Sequence, residues 1–296
     1  MSEQTIAPTP APQRDKEKPM PQTPTPAGAS TDIEQLEETT YTASRENWVL
    51  WGIRVCSVVV VLALWEVVGR QVDPLYMSYP SEIAQAAVEI TRNGELPRAM
   101  GSSARTLTTG FAIAGVIGVL FGLLLGRYRR VEAAFDWMVN ALYATPLVAL
   151  IPLVILWFGL EFKAKLVIVV LMAVFPILIN TASGVRDVNA ALIDVGRAFV
   201  ANERQIFTKV VMPAALPYIM TGLRLGIGRA IIGMVVAEFF TGLSGLGALV
   251  ITYGNAFRTD AMLVPVLVLM VLGVGLTALL RWTESRIAPW KKGGDD

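Results

Sequence analysis

Histidine is absent from the 296-residue sequence, and cysteine occurs only once, at Cys56. The lack of imidazole excludes Ser-His-Asp triads and His-ligated metal sites, and a single thiol excludes intrachain disulfides, zinc–thiolate sites and iron–sulfur clusters. Charged residues make up 17% of the chain, against about 25% in soluble proteins, and the net charge is +1. The sequence therefore predicts no catalytic residues, no metal, no cofactor and no nucleic acid partner.

Hydrophobic residues are abundant instead, at 54%, and they fall into six long runs. Each run is close to the ~20 residues that a helix needs to cross ~30 Å of hydrocarbon, and a helix satisfies its own backbone hydrogen bonds in lipid. We therefore predict an all-α membrane protein with about six transmembrane helices. The predicted spans are residues 49–68, 107–126, 138–158, 165–183, 218–240 and 261–280.

The segment before the first span has a different composition. Seven of the 17 prolines lie between Pro8 and Pro26, where large apolar residues are nearly absent. Such a segment cannot offset the entropy of folding. We predict a disordered Pro-rich tail over residues 1–47, either solvated or acting as a docking ligand, followed by a membrane domain over 48–296.

The positions of lysine and arginine predict the orientation, because cytoplasmic loops of membrane proteins are enriched in these residues. If both termini are cytoplasmic, eleven basic residues between and after the spans face the cytoplasm and seven face the opposite side. A short amphipathic helix over residues 81–92 is then predicted outside, near the membrane surface.

Two local patterns predict how the helices pack and where they bend. Gly118, Gly122 and Gly126 form one stripe of small residues, and Gly222 and Gly226 form another. Such stripes let helix backbones approach closely, either within one subunit or between two. Proline interrupts helical hydrogen bonding, so bends or breaks are predicted at four positions inside spans. These are Pro146, Pro152, Pro176 and Pro265.

The longest loop on the predicted cytoplasmic side, residues 185–217, reads VRDVNAALIDVGRAFVANERQIFTKVVMPAALP. It resembles the cytoplasmic loop of permease subunits of ATP-binding cassette (ABC) importers, which has the pattern E-A-A-x-x-x-G, nine residues and I-x-L-P. Asp194 stands at the Glu, Val200 at the Gly and Pro213 at the Pro, without a gap.

Further stretches resemble the branch of that family that moves nitrate, sulfonates, taurine and some pyrimidines. With them the resemblance covers about residues 48–290. The stretches are YPSEI (79–83), residues 105–126, TPLVALIPLVILWFG (145–159), FPILINTASGV (175–185), VVAEFF (235–240), GLGALV (245–250) and ESRIAPW (284–290).

The resemblance implies a multi-pass permease of the bacterial inner membrane that forms the pathway for a small anionic solute. Its implied partners are a cytoplasmic ABC ATPase, an extracytoplasmic solute-binding protein and a second copy of the chain. The loop at about 187–213 would seat a coupling helix in a groove of the ATPase, with Phe199 as apolar anchor. The implied coupling residues are Asp194, Gly196, Arg197, Phe199, Val200, Ala201, Arg204 and Pro213.

The chain departs from the family pattern at two of these positions. Asp194 keeps the negative charge of the family Glu on a shorter side chain. Val200 replaces a Gly that often marks a turn with positive φ, a conformation that a β-branched residue resists. Asn202 tolerates the left-handed region, so we expect Asn202 to supply the turn instead.

Polar residues within the spans are candidates for the pathway, since ionisable groups in hydrocarbon are costly and often functional. Arg229 either contacts an anionic solute or forms hydrogen bonds between helices. Arg224 lies about 140° from it around the helix, so one small ligand cannot contact both. The other candidates, which line a passage or bond to neighbouring backbone, are Asn140, Tyr143, Thr145, Asn180, Thr181 and Glu238.

An ion-coupled secondary transporter is the alternative function, suggested by Glu238 and the arginines of the fifth span. Six spans are few for that class, and we find no inverted repeat between the two halves. The chain also has no G-x-x-x-x-G-K-[ST] motif, so ATP hydrolysis is assigned to a separate subunit. We interpret GLSGLG (242–247) as a flexible turn at the membrane edge rather than a nucleotide-binding signature.

Overall fold

The structure, a computed structural model, describes residues 50–73 and 75–287. These residues form eleven α-helices and no strands, which confirms the all-α fold class. The predicted tail lies outside the described residues. The helices are α1 Leu50–Gly69, α2 Pro80–Arg92, α3 Glu95–Arg127, α4 Arg129–Ala144, α5 Ile151–Phe158, α6 Phe162–Arg186, α7 Ala190–Ala198, α8 Glu203–Ile206, α9 Met212–Thr241, α10 Leu246–Asn255 and α11 Thr259–Ile287.

The chain divides into two units, one ending at Val61 and one beginning at Leu62. The described part of the first unit, residues 50–61, is a helical segment with every side chain exposed. An apolar helix of this kind is typical of a lipid-facing span. All further elements belong to the second unit.

Five helices of the described chain are long and apolar enough to span a membrane, namely α1, α3, α6, α9 and α11. The third predicted span, 138–158, is divided between α4 and α5, which are bent by 85° around a 3₁₀ turn at Leu147–Leu150. The break falls at Pro146, because proline donates no backbone hydrogen bond and keeps Thr145 out of the helical region. By contrast, Pro176 and Pro265 lie inside continuous helices.

Helix α6 forms the core of the second unit by packing against both α3 and α9. The glycine stripe of α3 lies directly on α6: an added Cβ at Gly118, Gly122 or Gly126 would come 2.9, 2.6 or 2.5 Å from a Cβ on α6. The three α6 residues are Ile177, Thr181 and Val185. The stripe is therefore a contact within one chain, where close backbone approach maximises dispersion.

The second stripe performs the same role on α9. An added Cβ at Gly226 would come 2.6 Å from Cγ1 of Ile177, and one at Gly222 would come 3.0 Å from Cβ of Asn180. Ile177 is fully buried and contacts both stripes. A single side chain of α6 thus packs between glycines of α3 and α9.

The amphipathic helix predicted over 81–92 is present as α2. Ile83, Ala86 and Ile90 are buried, and the helix packs against α11 and α3. Its start is fixed from α1, because the Glu66 carboxylate accepts hydrogen bonds from the Ser81 backbone N–H (3.0 Å) and hydroxyl (2.7 Å). This carboxylate satisfies one of the free N–H groups at the start of the helix.

Helix α8 continues through a π-helical turn, Phe207–Val211, directly into α9. Together they form one helical run of 39 residues, Glu203–Thr241. The loop that resembles the family coupling loop is therefore connected to a membrane-spanning helix without an intervening loop.

Candidate coupling surface and pathway residues

Helix α7 and the residues after it form the surface that we call the coupling surface, residues 189–206. The Asn189 side chain caps α7 by accepting a hydrogen bond from the Ala191 backbone N–H (2.9 Å). Leu192, Val195 and Phe199 are spaced along one face of the helix, and all three are exposed. Phe199 is 83% exposed, so the surface presents a large apolar side chain that no described residue covers.

The opposite face of the coupling surface is anchored to the bundle. Ile206 is buried in a cluster with Val185 and Val211, and Ala201 packs against this cluster. An added Cβ at Gly196 would lie 3.4 Å from Ile206, an ordinary van der Waals distance, so α7 packs against α8 at this position. The inner face of the coupling surface therefore packs against the helix bundle, and its outer face is exposed.

The turn after α7 corrects the expectation for Val200 and Asn202. Val200 itself has φ 54°, and Asn202 is extended. The Ala201 N–H donates to the Gly196 carbonyl (3.1 Å) and the Val200 N–H to the Arg197 carbonyl (2.8 Å), which is the Schellman pattern of a helix C-terminus. The turn needs positive φ at position 200, and the two helices impose it on valine despite its branched Cβ.

The sequence reasoning missed the roles of Asn202 and Glu203. Asn202 begins α8 with a reciprocal capping box to Gln205, with hydrogen bonds of 2.8 and 2.9 Å. Glu203 forms an ion pair with Arg127, the last residue of α3, and lies 4.0 Å from Arg197. The N-x-x-Q spacing was a usable signal for the cap, whereas nothing in the sequence pairs Glu203 with Arg127.

The remaining predicted coupling residues are placed on or beside this surface. Asp194 and Arg197 are both exposed, and they form an ion pair across one turn of α7 with 3.6 Å between the charged atoms. Arg204 is exposed on α8, and Pro213 is exposed in the first turn of α9. The structure brings together seven of the eight predicted residues in α7, its turn and α8, with Pro213 further along the helical run.

Most polar pathway candidates of α4 and α6 bond locally. The Asn140 amide donates to Asp136, the Thr145 hydroxyl to the Ala141 carbonyl (2.9 Å), and the Asn180 amide to the Pro176 carbonyl (2.8 Å). These contacts are the local backbone and side-chain bonding that is common for such residues in helices.

Tyr143 and Thr181 differ from these three. The exposed Tyr143 ring lies 6.5 Å from the Phe175 ring. The Thr181 hydroxyl is fully buried against the α3 glycine stripe and has no hydrogen-bond partner in the described chain. Thr181 is therefore packed into the helix contact and does not face an open passage.

Arg224 and Arg229 lie in different environments. Arg224 forms an ion pair with Glu284 of α11. Arg229 is exposed on α9 and makes no hydrogen bond or ion pair with any described residue. It lies about 25 Å from the start of α9 and about 18 Å from its end. Its exposed neighbours along the helix are Leu225 and Ile232.

Glu238 lies at the other end of the bundle, inside a buried network. Its carboxylate accepts hydrogen bonds from the Ser103 hydroxyl (2.7 Å) and the Gly247 N–H (2.9 Å), and the Leu246 N–H donates to Ser103 (2.8 Å). Gly245 has φ 106°, and an added Cβ there would come 2.0 Å from Glu238. The turn between α9 and α10 is thus held in place, which corrects the expectation of a flexible turn.

Comparisons with known proteins agree with one another. The family described as "Binding-protein-dependent transport system inner membrane component" matches residues 116–289. SsuC of Bacillus subtilis strain 168, whose name assigns it to aliphatic sulfonates transport, is 32% identical over 78% of this chain and 85% of its own. ThiX of Halalkalibacterium halodurans, named a formylaminopyrimidine transport permease protein, is 28% identical over 78% and 93%. TauC of Escherichia coli K12, named a taurine transport system permease protein, is 26% identical over 78% and 86%.

Solved structures with the same fold include a chain of the inward-facing MetNI methionine ABC transporter. The TM-score is 0.55 at 21% identity, with 66% of this chain and 95% of that chain covered. An amino acid ABC transporter solved with histidines gives a TM-score of 0.51 at 16% identity, with 68% and 96% covered. At these identities the likeness is one of fold.

Proposed function

The chain belongs to the family of binding-protein-dependent transport system inner membrane components, and it is a multi-pass permease subunit of an ABC importer rather than an enzyme. From this premise we propose that it forms the pathway for a small anionic solute and that residues 189–206 transmit the motion of a separate cytoplasmic ATPase. Sulfonates, including taurine, are the proposed solute class, supported by the names of SsuC and TauC.

The coupling role rests on the two faces of α7. The outer face carries the exposed Phe199 and Val195, and central apolar contacts usually dominate protein interfaces. Asp194, Arg197 and Arg204 surround them with charge that fixes register. A groove on an ATPase would cover this face, and the helical run α8–α9 would carry the resulting displacement into the membrane.

The exposed position of Arg229 near the middle of α9 is the observation that supports a pathway for an anion. A charged side chain in the middle of a span is costly in lipid, so it faces other protein or water. No described residue of the same chain forms a hydrogen bond or ion pair with it, and a second copy of the chain would cover its face of α9. The permease is therefore proposed to act as a homodimer in which two copies of Arg229 face a shared, water-filled passage for the anion.

Transport in proteoliposomes tests this function. The full chain is reconstituted with its cognate ABC ATPase, the solute-binding protein is supplied in the buffer, and uptake of radiolabelled taurine is followed with ATP. We expect uptake only with both partners. Arg229→Gln should lower it about tenfold, and Arg229→Lys should retain part of it. Lys163→Gln, which removes an exposed charge at the start of α6, should transport normally.

Two results would contradict the proposal. Uptake driven by a proton or sodium gradient without ATPase would favour the secondary transporter. Unchanged taurine, sulfate and nitrate uptake in Arg229→Gln would remove the arginine from the pathway.

The cytoplasmic position of the coupling surface, and with it of both termini, is tested by thiol labelling. In a Cys56→Ser background, Lys163→Cys should react with a membrane-impermeant maleimide in intact cells. Ala198→Cys should react only after the membrane is permeabilised. Labelling of Ala198→Cys in intact cells would reverse the orientation and exclude contact with a cytoplasmic ATPase.

A further inference from the structure

A cavity of about 450 Å³ opens far from the coupling surface, between α3, the start of α6 and the turn between α9 and α10. Along α3 it lies about 33 Å from Arg127, which contacts the coupling surface. Its volume lies within the range of about 300–1,000 Å³ that is usual for small-molecule sites. The polar residues that line it are Ser102, Arg105, Thr106, Glu161, Lys165 and Ser244.

Arg105 supplies a positive charge to the cavity and is not ion-paired with any described carboxylate. Its guanidinium carbon lies 4.7 Å from the centre of the Phe162 ring, and the side chain forms no ion pair. Contact with an aromatic ring holds the guanidinium in place while its N–H groups remain free to donate. A planar set of donors of this kind suits the oxygens of a carboxylate or sulfonate.

Ser244 supplies a second donor. Its hydroxyl oxygen accepts hydrogen bonds from Lys165 Nζ (2.9 Å) and from the Ser102 hydroxyl (3.1 Å). A hydroxyl has two acceptor positions and one hydrogen, so these two bonds leave the hydrogen of Ser244 to donate to a bound group. Lys165 is 2% exposed and also donates to the Ser244 carbonyl (2.7 Å), so one side chain holds both the backbone and the hydroxyl of Ser244 in place.

The cavity wall is rigid at this point. Ser103, next to Ser102, donates to the buried Glu238, and the Leu246 N–H, just beyond Ser244, donates to Ser103. Both donors to a bound anion are therefore positioned before it arrives, which lowers the entropic cost of binding.

We propose that this cavity is a binding site for a small organic oxyanion, which Arg105 and the Ser244 hydroxyl hold at the extracytoplasmic mouth of the permease. The inference rests on the proposed function, because the orientation places this end outside and the solute is anionic. Glu161 lines the same cavity with the opposite charge. It weakens the binding of a simple anion, and it offers a partner to the ammonium group of an amino sulfonate.

The test is direct binding of methanesulfonate to the full-length chain in phosphatidylcholine nanodiscs, followed by saturation-transfer difference NMR of the methyl group. Methanesulfonate should bind saturably, and dimethyl sulfone, its neutral analogue, should not. Arg105→Gln should weaken binding about tenfold, and Arg105→Lys should restore part of it. Glu161→Gln should tighten binding two- to threefold, about the effect of one exposed charge.

The matched control is Arg98→Gln, which removes an exposed arginine of α3 that does not line the cavity and should leave binding unchanged. Equal affinity in wild type, Arg105→Gln and Glu161→Gln would overturn the proposal. Loss of methanesulfonate binding in phosphatidylglycerol nanodiscs would assign the site to lipid headgroups and overturn it as well.

This measurement uses neither ATPase nor ATP, so its outcome is separate from that of the transport assay. Absent binding together with intact ATP-driven uptake would refute the site alone. Binding as expected, together with gradient-driven uptake that needs no ATPase, would refute the proposed function and leave the site standing.

Discussion

Arg127 at the end of α3 forms an ion pair with Glu203 at the start of α8, and this pair joins the coupling surface to a second membrane-spanning helix. Both side chains are partly exposed, so the pair contributes only about 0–1 kcal/mol to stability. Its importance is positional. The α7–α8 segment cannot move away from α3 without breaking it.

Reversing one charge of this pair should uncouple transport without unfolding the protein. Arg127→Glu or Glu203→Arg should each lower ATP-driven taurine uptake about fivefold in proteoliposomes, because like charges then separate α8 from α3. The double reversal should restore most of the uptake. Arg129→Glu, an adjacent exposed arginine, is the control. A double variant no better than either single variant would exclude a role for the pair.

Glycine at position 200 should stabilise the coupling surface. A left-handed conformation costs an L-residue roughly 1–2 kcal/mol, and glycine avoids most of that cost. Hydrogen exchange of peptides from α7 and α8 should therefore slow about fivefold in Val200→Gly. Val195→Gly, placed inside α7, should accelerate exchange because glycine is a poor helix former. Acceleration in both variants would show that Val200 carries no strain.

The contact between α3 and α6 should fail on addition of one methyl group. An added Cβ at Gly122 would lie 2.6 Å from the Thr181 Cβ and 2.7 Å from the Leu178 carbonyl oxygen, so Gly122→Ala forces the helices apart. We expect a loss of stability of about 1–3 kcal/mol, measured by thermal unfolding in detergent. Gly101→Ala, on the same helix with no atom within 4 Å, should be neutral or slightly stabilising. Equal melting temperatures would contradict this packing.

Tyr253 should make the folded protein sensitive to alkaline pH. Burial, together with the hydrogen bond that its hydroxyl donates to Glu95 and the charge of that carboxylate, raises the pKa of Tyr253 from 10.0 to about 12. The neutral phenol is therefore favoured in the folded state. Its contribution to stability is complete below about pH 10 and is lost as the pH rises to about 12.

Thermal unfolding between pH 9 and pH 12 measures this dependence. Tyr253→Phe should lose less stability over the range than the wild type. Tyr76→Phe, at a position that is 81% exposed, should follow the wild type. Parallel curves for all three proteins would remove Tyr253 from the pH response.

The helices could be predicted because their signals are local. Runs of apolar residues define α1, α3, α6, α9 and α11. The break at Pro146 follows from two properties of proline: it has no backbone N–H, and it disfavours the helical conformation of the residue before it. The same residue type at Pro176 leaves α6 continuous, in a stretch of the helix where residues 172–178 are all buried. Local rules therefore identified candidate breaks without ranking them.

The details of the sites depend on segments far apart in the chain. Val200 was expected to avoid positive φ, yet α7 and α8 impose it through the Schellman hydrogen bonds. The cavity proposed to bind an oxyanion needs Arg105 from α3, Phe162 from α6 and Ser244 from the turn after α9. No spacing in the sequence relates these three positions, so only the fold reveals them.

The helical run from Glu203 to Thr241 has a mechanical consequence. Its 39 residues extend about 58 Å as one helical run with a π-helical turn near its start, so a displacement at one end is transmitted along it towards the other. One end is capped beside Phe199, and the other holds Glu238, whose carboxylate fixes the loop that presents Ser244. If the coupling surface binds an ATPase as proposed, a small displacement at that end would reach the turn that presents Ser244, and a single helical run would link the motions of the two ends of the bundle.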